Sequence, residues 1–308
     1  MPVESWVLEG DGYWRSDYDE TYSARDNYAY GTYRPDASTT GILSDRSALT
    51  VVNGNYMTVT ANEVIENKWI KGAVTVKHLG VVIRNCLITG DTAGPSSPSY
   101  SAIKAYDPGT SVDVYDCTIE SAVNSVYAGN GAMGRDIRLY RCDISNFVDG
   151  VGLFRNNGGV YGCWIHDLPY YSWSPSHSDG SHNDGIQIHG GSDYEVIGNS
   201  VEMGYESTTG LIVTQDDGIT SDVLINRNWF ISTWPTKATA AGVGVNISAS
   251  GSGGVPYVGI TLTDNQFSPF GQWSSNHAAL ITNSSFDAVT KSGNVNVGTA
   301  TAAKVSRG

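Results

Sequence analysis

The segment RLYRCDISNFVDGVGLFRNNGGVYGCWI (Arg138–Ile165) contains one short pattern twice. In RLYRCDI and in GVYGCWI a cysteine has apolar residues on both sides, and the two cysteines, Cys142 and Cys163, are 21 positions apart. The same pattern recurs in VIRNCLI (Val82–Ile88), DVYDCTI (Asp113–Ile119), EVIGNSV (Glu195–Val201), LINRNWF (Leu224–Phe230) and TLTDNQF (Thr261–Phe267). The aligned central column reads Cys86, Cys117, Cys142, Cys163, Asn199, Asn228 and Asn265. Such a repeat predicts a stack of similar structural units.

A second set of segments alternates apolar residues with small or polar ones. The alternation predicts short β-strands, with Val151 and Leu153 facing inward in one strand and Ile186 and Ile188 in another. The aligned segments are SAIKAY (Ser101–Tyr106), NSVYAG (Asn124–Gly129), DGVGLF (Asp149–Phe154), DGIQIH (Asp184–His189), TGLIVT (Thr209–Thr214) and AGVGVN (Ala241–Asn246). Turns rich in Gly, Asn and Asp, such as RNNGG and HGGSD, separate the two sets.

Repeats of about 20 to 37 residues with two or more short strands are typical of a parallel β-helix, in which stacked coils bury a continuous core. Leucine is too scarce for a leucine-rich repeat, and the shortest repeats cannot hold the four strands of a propeller blade. We therefore predict an all-β, single-domain parallel β-helix. The cysteines are then small buried residues and the asparagines form a hydrogen-bonded ladder. Two disulfides or a zinc site are the alternatives for the cysteines.

The predicted β-helix spans residues 61–297. Residues 1–60 fit the repeat poorly and are rich in Tyr, Asp and Trp, so we expect a capping segment that closes the N-terminal end of the solenoid. Residues 298–308 are small and polar and form a short C-terminal tail in this interpretation.

The composition limits the classes of partner. The chain of 308 residues has a net charge of −13, which argues against nucleic acid as a partner. It has no apolar run long enough for membrane insertion. The first twenty residues lack the basic and apolar regions of a secretory signal, so we expect an extracellular protein or a virion component that leaves the cell without one.

The runs HNDGIQI and YEVIGNSV, together with the two sets of segments, resemble right-handed parallel β-helix proteins of the pectate-lyase-like superfamily. The long run from YRPDASTTGILSD to VVIRNCLI, with CDISNFVDGV and CWIHDL, is similar to β-helix proteins of actinobacteria and their bacteriophages. The resemblance covers Thr32 to Asn296 and implies a right-handed solenoid acting on a polysaccharide, as a phage tail component. Resemblance to tail spikes would imply a homotrimer. The two adjacent acidic residues Asp216 and Asp217 follow a predicted strand, whereas in the related hydrolases the corresponding acidic residues precede the strand. The resemblance therefore does not transfer the mechanism of those hydrolases.

Asp149 and Asp184 occupy equivalent positions in adjacent repeats, so their backbones should lie about 4.8 Å apart. Their carboxylates would then be about 5 to 6 Å apart, close to the spacing of a retaining glycosidase, and outward splay would widen it toward the inverting geometry. Like charges this close raise one pKa and create a general acid. The alternative is that each aspartate caps a turn, since Asp-Gly is a common turn dipeptide.

Further polar and aromatic residues surround the pair in the sequence. The long loop Leu168–His182 carries aromatic residues that either stack on sugar rings or pack against the solenoid. The candidate catalytic residues are Asp149, Asp184, Asp179, His189 and Asp217. The candidate substrate-binding residues are Phe154, Arg155, Tyr171, Trp173, His182, Gln187 and Asp216. No cofactor or metal site is predicted, although His177, His182 and His189 could share a metal, and calcium between Asp179, Asp184 and Asp217 would indicate a lyase.

Three functional hypotheses follow. The first is a glycoside hydrolase that degrades a bacterial cell-envelope glycan, for which the resemblance makes arabinan or galactan the first trial. The second is a polysaccharide lyase, with His189 or Arg155 removing a proton next to a uronate; the net charge of −13 makes a polyanionic substrate less natural. The third is a tail spike that binds a glycan without cleaving it.

Overall fold

The protein forms a solenoid of parallel β-strands, as predicted. A computed structural model describes residues 7–8, 14–15, 31, 33–90, 100–204, 206–233, 242–251, 255–268 and 277–308. Within these residues, successive coils place equivalent strands in three sheets, and neighbouring strands of each sheet pair in parallel. A coil runs from sheet 1 to sheet 2 to sheet 3, and the next coil then begins in sheet 1.

The described strands are numbered β1–β31 in chain order. Sheet 1 contains β4 (Tyr56–Met57), β7 (Val74–Thr75), β10 (Ser101–Ala105), β13 (Asn130–Gly134), β16 (Asp149–Leu153), β19 (Asp184–Ile188), β22 (Thr209–Gln215), β25 (Val243–Gly251), β28 (Ala279–Ile281) and β31 (Val305–Arg307). Sheet 2 contains β5 (Val64–Glu66), β8 (Val81–Arg84), β11 (Val112–Tyr115), β14 (Ile137–Tyr140), β17 (Gly159–Tyr161), β20 (Tyr194–Ile197), β23 (Ser221–Asn226), β26 (Val258–Thr263) and β29 (Thr290–Ser292). Sheet 3 contains β3 (Thr50–Asn53), β6 (Lys68–Lys71), β9 (Leu87–Ile88), β12 (Thr118–Glu120), β15 (Asp143–Ser145), β18 (Trp164–His166), β21 (Ser200–Met203), β24 (Trp229–Ser232), β27 (Gln266–Phe267) and β30 (Val295–Asn296). Outside these sheets, β1 (Val7–Leu8) and β2 (Trp14–Arg15) form an antiparallel pair, and Arg46–Ala48 form one turn of 3-10 helix.

The column of cysteines and asparagines lies between sheets 2 and 3 and links the coils. All four cysteines are free thiols buried in the core, so the alternatives of disulfides and a zinc site are wrong. The side chain of Asn199 accepts the backbone N–H of Cys163 at 2.8 Å, and Asn228 accepts that of Asn199 at 2.9 Å. The ladder continues through Asn265 to Asn294, one rung beyond the predicted column. Each asparagine thereby satisfies a buried backbone group of the preceding coil.

A glycine after the first residue of β19 allows this strand to begin with a polar residue on the outer face of sheet 1. A Cβ on Gly185 would lie 2.2 Å from Cγ1 of the buried Val201 and 2.5 Å from the carbonyl oxygen of Gly210, so this position faces inward and has no room for a side chain. Ile186 follows and also faces the core. Because two consecutive residues face inward, both Asp184 and Gln187 are left on the outer face.

Two of the predicted strand alignments are wrong by several residues. Asn130 pairs with Asp149, so β13 begins at Asn130, and the predicted segment Asn124–Gly129 is the turn before it. Thr209 pairs with Val243, two residues after the start of the predicted segment Ala241–Asn246, whose first residue lies outside the described residues. Turn length varies from coil to coil while strand register is constant, and alternation inside a long turn therefore resembles a strand.

The solenoid extends beyond the predicted boundaries at both ends. β3 and β4 lie within the segment predicted as a cap, and they pair with strands of sheets 3 and 1, so coils are present from Thr50 onward among the described residues. Residues 34–43 run along the side of sheet 3, where the backbone N–H of Gly41 donates to the carbonyl of Arg141 at 2.9 Å. At the other end, β31 lies in the predicted tail and pairs with β28.

Candidate functional site

The two predicted catalytic aspartates lie side by side where the strands of sheet 1 begin, an edge called here the N-terminal edge. Asp149 is the first residue of β16, and Asp184 is the first residue of β19 on the next coil. The backbone N–H of Asp184 donates to Oδ1 of Asp149 at 2.9 Å. Asp149 is partly exposed, whereas Asp184 is only 4% exposed. The structure thus brings together the pair on which the predicted mechanism depends.

Both oxygens of Asp184 are held by neighbouring side chains. The hydroxyl of Thr209, on the following coil, donates to Oδ1 at 2.5 Å, and Nε2 of Gln187 donates to Oδ2 at 3.0 Å. The other end of the amide, Oε1 of Gln187, lies 3.2 Å from Nε2 of His189. Because a carbonyl oxygen only accepts, Nε2 carries the ring hydrogen, and Nδ1 of the neutral ring faces the hydroxyl of Thr214 at 3.1 Å. A continuous hydrogen-bonded chain therefore crosses the outer face of sheet 1.

The environment gives the two carboxyl groups different proton affinities. Burial and the neighbouring charge of Asp184 raise the pKa of Asp149 well above its ordinary value. Burial also raises the pKa of Asp184, but the hydrogen bonds from Thr209 and Gln187 favour its charged form. Since two like charges this close repel, these contacts favour a protonated Asp149 beside an ionised Asp184.

His189 connects Gln187 to Thr214 in the hydrogen-bonded chain and packs against an aromatic ring. Its ring stacks on Phe154 of the preceding coil, with 4.8 Å between centroids and 16° between planes. Burial lowers the pKa of His189, although Asp216 and Asp217 favour the charged form. Asp216 is exposed, and its Oδ2 lies 3.8 Å from Nδ1 of His189. His189 is therefore a neutral ring on the outer face near pH 7.

The opposite edge of sheet 1, where its strands end, carries a pocket of about 350 Å³ lined by Tyr106, Arg135, Phe154, Arg155 and Asp217. Asp217 forms a two-pronged ion pair with Arg155, with both N···O distances 2.9 Å. Asp217 follows its strand whereas Asp149 and Asp184 begin theirs, so this candidate catalytic residue does not lie with the aspartate pair. The pocket and the aspartate pair lie at the two edges of one sheet.

The loop Leu168–His182 enters the N-terminal edge directly before β19. Its base is closed by the backbone N–H groups of Tyr171 and Ser181, which donate to Oγ of Ser181 and to the carbonyl of Tyr171, each at 2.8 Å. Trp173 is 59% exposed, and its ring meets Tyr127 edge-on with 6.2 Å between centroids. The Tyr171 hydroxyl is buried and has no hydrogen-bond partner among the described residues. The loop thus presents one exposed aromatic ring beside the turn that precedes β13.

The remaining loop residues form a separate cluster. Oδ1 of Asp179 lies 3.0 Å from Nε2 of His182, whose ring stacks on His177 with 3.8 Å between centroids. The hydrogen bond with His182 lowers the pKa of Asp179, so this exposed carboxylate is ionised and does not join the aspartate pair.

The sets of residues weighed as metal ligands are not gathered in one place. His177 and His182 touch each other, whereas His189 contacts Thr214 and Phe154 on the sheet. Across the described parts of the chain, no three His, Cys, Asp or Glu side chains are grouped so that they could hold a metal ion. The same residues contain no helix long and apolar enough to cross a membrane.

Several residues of this surface were not predicted. Thr209 and Thr214 stand in aligned segments, but a hydroxyl gives no charge pattern in the sequence. Arg135 and Tyr106 occupy the strand-end positions equivalent to Phe154 and His189. The correct alignment of β13 would have revealed Arg135.

The family of the chain follows from its sequence as well as its fold. The family described as right handed beta helix region matches residues 101–295. The chain belongs to the right-handed beta helix family. This membership confirms the predicted handedness and covers both the aspartate pair and the pocket. No curated protein matches the chain.

Solved structures with a similar fold have very different sequences. The Dettilon tailspike protein is 15% identical with a TM-score of 0.44, and the match covers 84% of this chain and 62% of that one. An alginate lyase from Paenibacillus is 14% identical with a TM-score of 0.38, over 82% of this chain and 95% of the lyase. The A-module of a mannuronan C-5 epimerase from Azotobacter vinelandii is 12% identical with a TM-score of 0.32, over 85% and 87%. The chain thus spans less than two thirds of the tailspike.

Proposed function

We propose that this protein cleaves a polysaccharide as a glycoside hydrolase, with Asp149 as the proton donor and Asp184 as its ionised partner. The observation that carries the proposal is the contact between the two residues on adjacent coils. Of the sheet 1 residues in this column, Ser101, Asn130, Asp184, Thr209 and Val243 are buried, while Asp149 is partly exposed. The group with the strongly raised pKa is therefore the one that a substrate can reach.

The chemistry requires one protonated and one ionised carboxyl group beside the glycosidic bond. Protonated Asp149 donates its proton to the glycosidic oxygen as the bond to the anomeric carbon breaks. The negative charge of the buried Asp184 stabilises the positive charge that develops on the sugar. Water then attacks the anomeric carbon and gives a proton back to the carboxylate of Asp149, which restores the starting state. Thr209 and Gln187 orient Asp184 and favour its charged form.

The surface around the pair suits a sugar chain. The exposed ring of Trp173 stands at one edge of the sheet and the ring of Phe154 at the other, and aromatic faces of this kind pack on the apolar faces of sugar rings. The sequence resemblance to bacteriophage β-helix proteins supports a bacterial envelope glycan, with arabinan or galactan as first trials, and a virion or extracellular location. A homotrimer stays a prediction, to be checked by the molar mass in solution.

Two alternatives each rest on one observation. A neutral His189 could remove a proton from a uronate, as a lyase requires. The hydrogen bond from the N–H of Asp184 to Asp149 also suits a purely structural role in a protein that only binds a glycan. A lyase would release unsaturated products that absorb in the near ultraviolet. A lyase that uses calcium would lose its activity when a chelator is added.

The test incubates the wild type and three variants with a panel of bacterial envelope glycans, followed by mass analysis of the fragments. Asp149→Asn keeps an oxygen that accepts the N–H of Asp184 but has no acidic proton to transfer, so hydrolysis should fall about 10²–10⁴-fold while binding persists. Asp184→Asn should have a similar effect, and Asp287→Asn, at a distant exposed position, should have none. Full activity of Asp149→Asn would reject the assignment. Unsaturated fragments would establish the lyase, and intact but bound glycan would establish the binding protein.

A further inference from the structure

The pocket where the strands of sheet 1 end has a positive charge, although the protein as a whole is strongly acidic. Its five lining residues include the cations Arg135 and Arg155 and one carboxylate, Asp217, so its formal charge is +1, whereas the whole chain carries −13. A fixed cation in a partly enclosed pocket attracts anions more strongly than the same charge on an open surface.

Arg155 and Asp217 neutralise each other. Arg135 forms no ion pair with a carboxylate among the described residues, although its charge acts on Asp107 nearby. Nε of Arg135 is shielded from solvent and has no hydrogen-bond partner among the described residues. The nearby Asp107 is held by Nζ of Lys77 at 2.6 Å. A buried guanidinium N–H without an acceptor is unfavourable, and an incoming oxygen atom would relieve it.

The other walls of the pocket suit a ring. The rings of Tyr106 and Phe154 are 6.1 Å apart with 60° between their planes, and they lie on neighbouring sides of the cavity. Gly152 makes this arrangement possible, because a Cβ there would lie 3.0 Å from Cε2 of Phe154. An aromatic wall beside a guanidinium offers both an apolar face and a fork of donors.

We infer that this pocket binds a sugar ring carrying an anionic group, a carboxylate or a sulfate, through Arg135. The inference rests on the proposed action on a glycan and adds that this glycan carries acidic groups, which plain arabinan and galactan do not. Asp149 begins β16 and Phe154 directly follows this strand, five positions later, which corresponds to about 16 Å along the strand direction. The anionic ring would therefore lie several sugars away from the cleaved bond and would fix the register of the chain on the enzyme.

The test measures binding in the Asp149→Asn background, where bound chains stay intact. The probes are oligogalacturonate, a sulfated galactan oligosaccharide, and neutral galactan oligosaccharides of equal length, titrated by calorimetry at low and high salt. We expect at least one anionic probe to bind about tenfold or more tightly than its neutral counterpart, with the preference weakened by salt. Whichever probe is preferred distinguishes carboxylate from sulfate.

Variants of Arg135 then test whether this residue binds the anionic group. Arg135→Gln should remove the preference, and Arg135→Lys should retain part of it, because the charge stays but the planar fork is lost. Arg46→Gln, whose arginine pairs with Glu120 beside sheet 3, is the matched control and should bind like the background. Equal or absent binding of the anionic probes, or a preference that survives Arg135→Gln in a folded variant, would overturn the inference. The proposed hydrolysis is judged separately, by cleavage of glycans by the wild type.

Discussion

Replacement of Asp149 by asparagine should make the protein more stable at alkaline pH and leave its stability at acid pH almost unchanged. Folding raises the pKa of Asp149, so the native state binds more protons than the unfolded chain between the ordinary pKa of aspartate and the raised one. The free energy of unfolding of the wild type therefore falls as the pH rises through this window. The loss is about 1.4 kcal/mol for each tenfold increase in proton affinity on folding. Asparagine has no such loss, and its Oδ1 can still accept the N–H of Asp184.

Asp149→Ala separates the effect of the charge of this side chain from the effect of its hydrogen bond with Asp184. It also removes the charge, but it leaves the N–H of Asp184 without its acceptor, which costs about 1–3 kcal/mol if water does not replace it. At pH 8 the asparagine variant should thus be the most stable of the three proteins, and the alanine variant should lie below it by that amount. Midpoints of denaturant unfolding at pH 4 and pH 8, followed by tryptophan fluorescence, measure these differences. If Asp149→Asn changes stability equally at both pH values, the pKa of Asp149 is not raised, and its assignment as proton donor fails with it.

Two further predictions concern the columns that hold the coils together. Asn228→Ala removes the acceptor of the buried N–H of Asn199 and should lower the free energy of unfolding by about 2–5 kcal/mol. Cys163→Asn only extends the asparagine ladder by one position, so its free energy of unfolding should stay within about 1 kcal/mol of the wild type. Denaturant unfolding measures both values. Gly185→Ala places a Cβ 2.5 Å from a backbone oxygen that cannot move away, so it should destabilise the protein by about 1–3 kcal/mol or prevent folding. Gly204→Ala places its Cβ in open space and should show no comparable loss of thermal stability.

The fold was predictable because a solenoid repeats its constraints. A position such as Asn228 or Cys142 must suit its neighbours on both adjacent coils, so similar residues recur and the column is visible in one sequence. The ends of the solenoid were less predictable, since β3 at Thr50–Asn53 and β31 at Val305–Arg307 each have a neighbouring coil on one side within the described residues. Their sequences are correspondingly less constrained by the repeat.

The site was predictable where it coincides with the repeat and not where it depends on side-chain direction. Asp149 and Asp184 share a column, and the structure places them in contact. Asp217 was grouped with them because it lies one repeat after Asp184, yet a strand of seven residues separates it from the N-terminal edge. Arg135 was missed because the turn before β13 was taken for the strand itself. Turn length is a local property that the repeat does not encode.

The fold does not require a carboxylate at the position of Asp149 and Asp184. The same position holds Ser101 and Asn130 on preceding coils and Thr209 on the next, all uncharged, and the strands pair there in the same register. Two adjacent carboxylates are unfavourable for folding at neutral pH, because burial raises the pKa of both. Groups that cost stability and lie together beside an accessible surface are typical of functional sites. A purely structural column would be more stable with asparagine in place of either aspartate, and it is this difference that the pH dependence of Asp149→Asn measures.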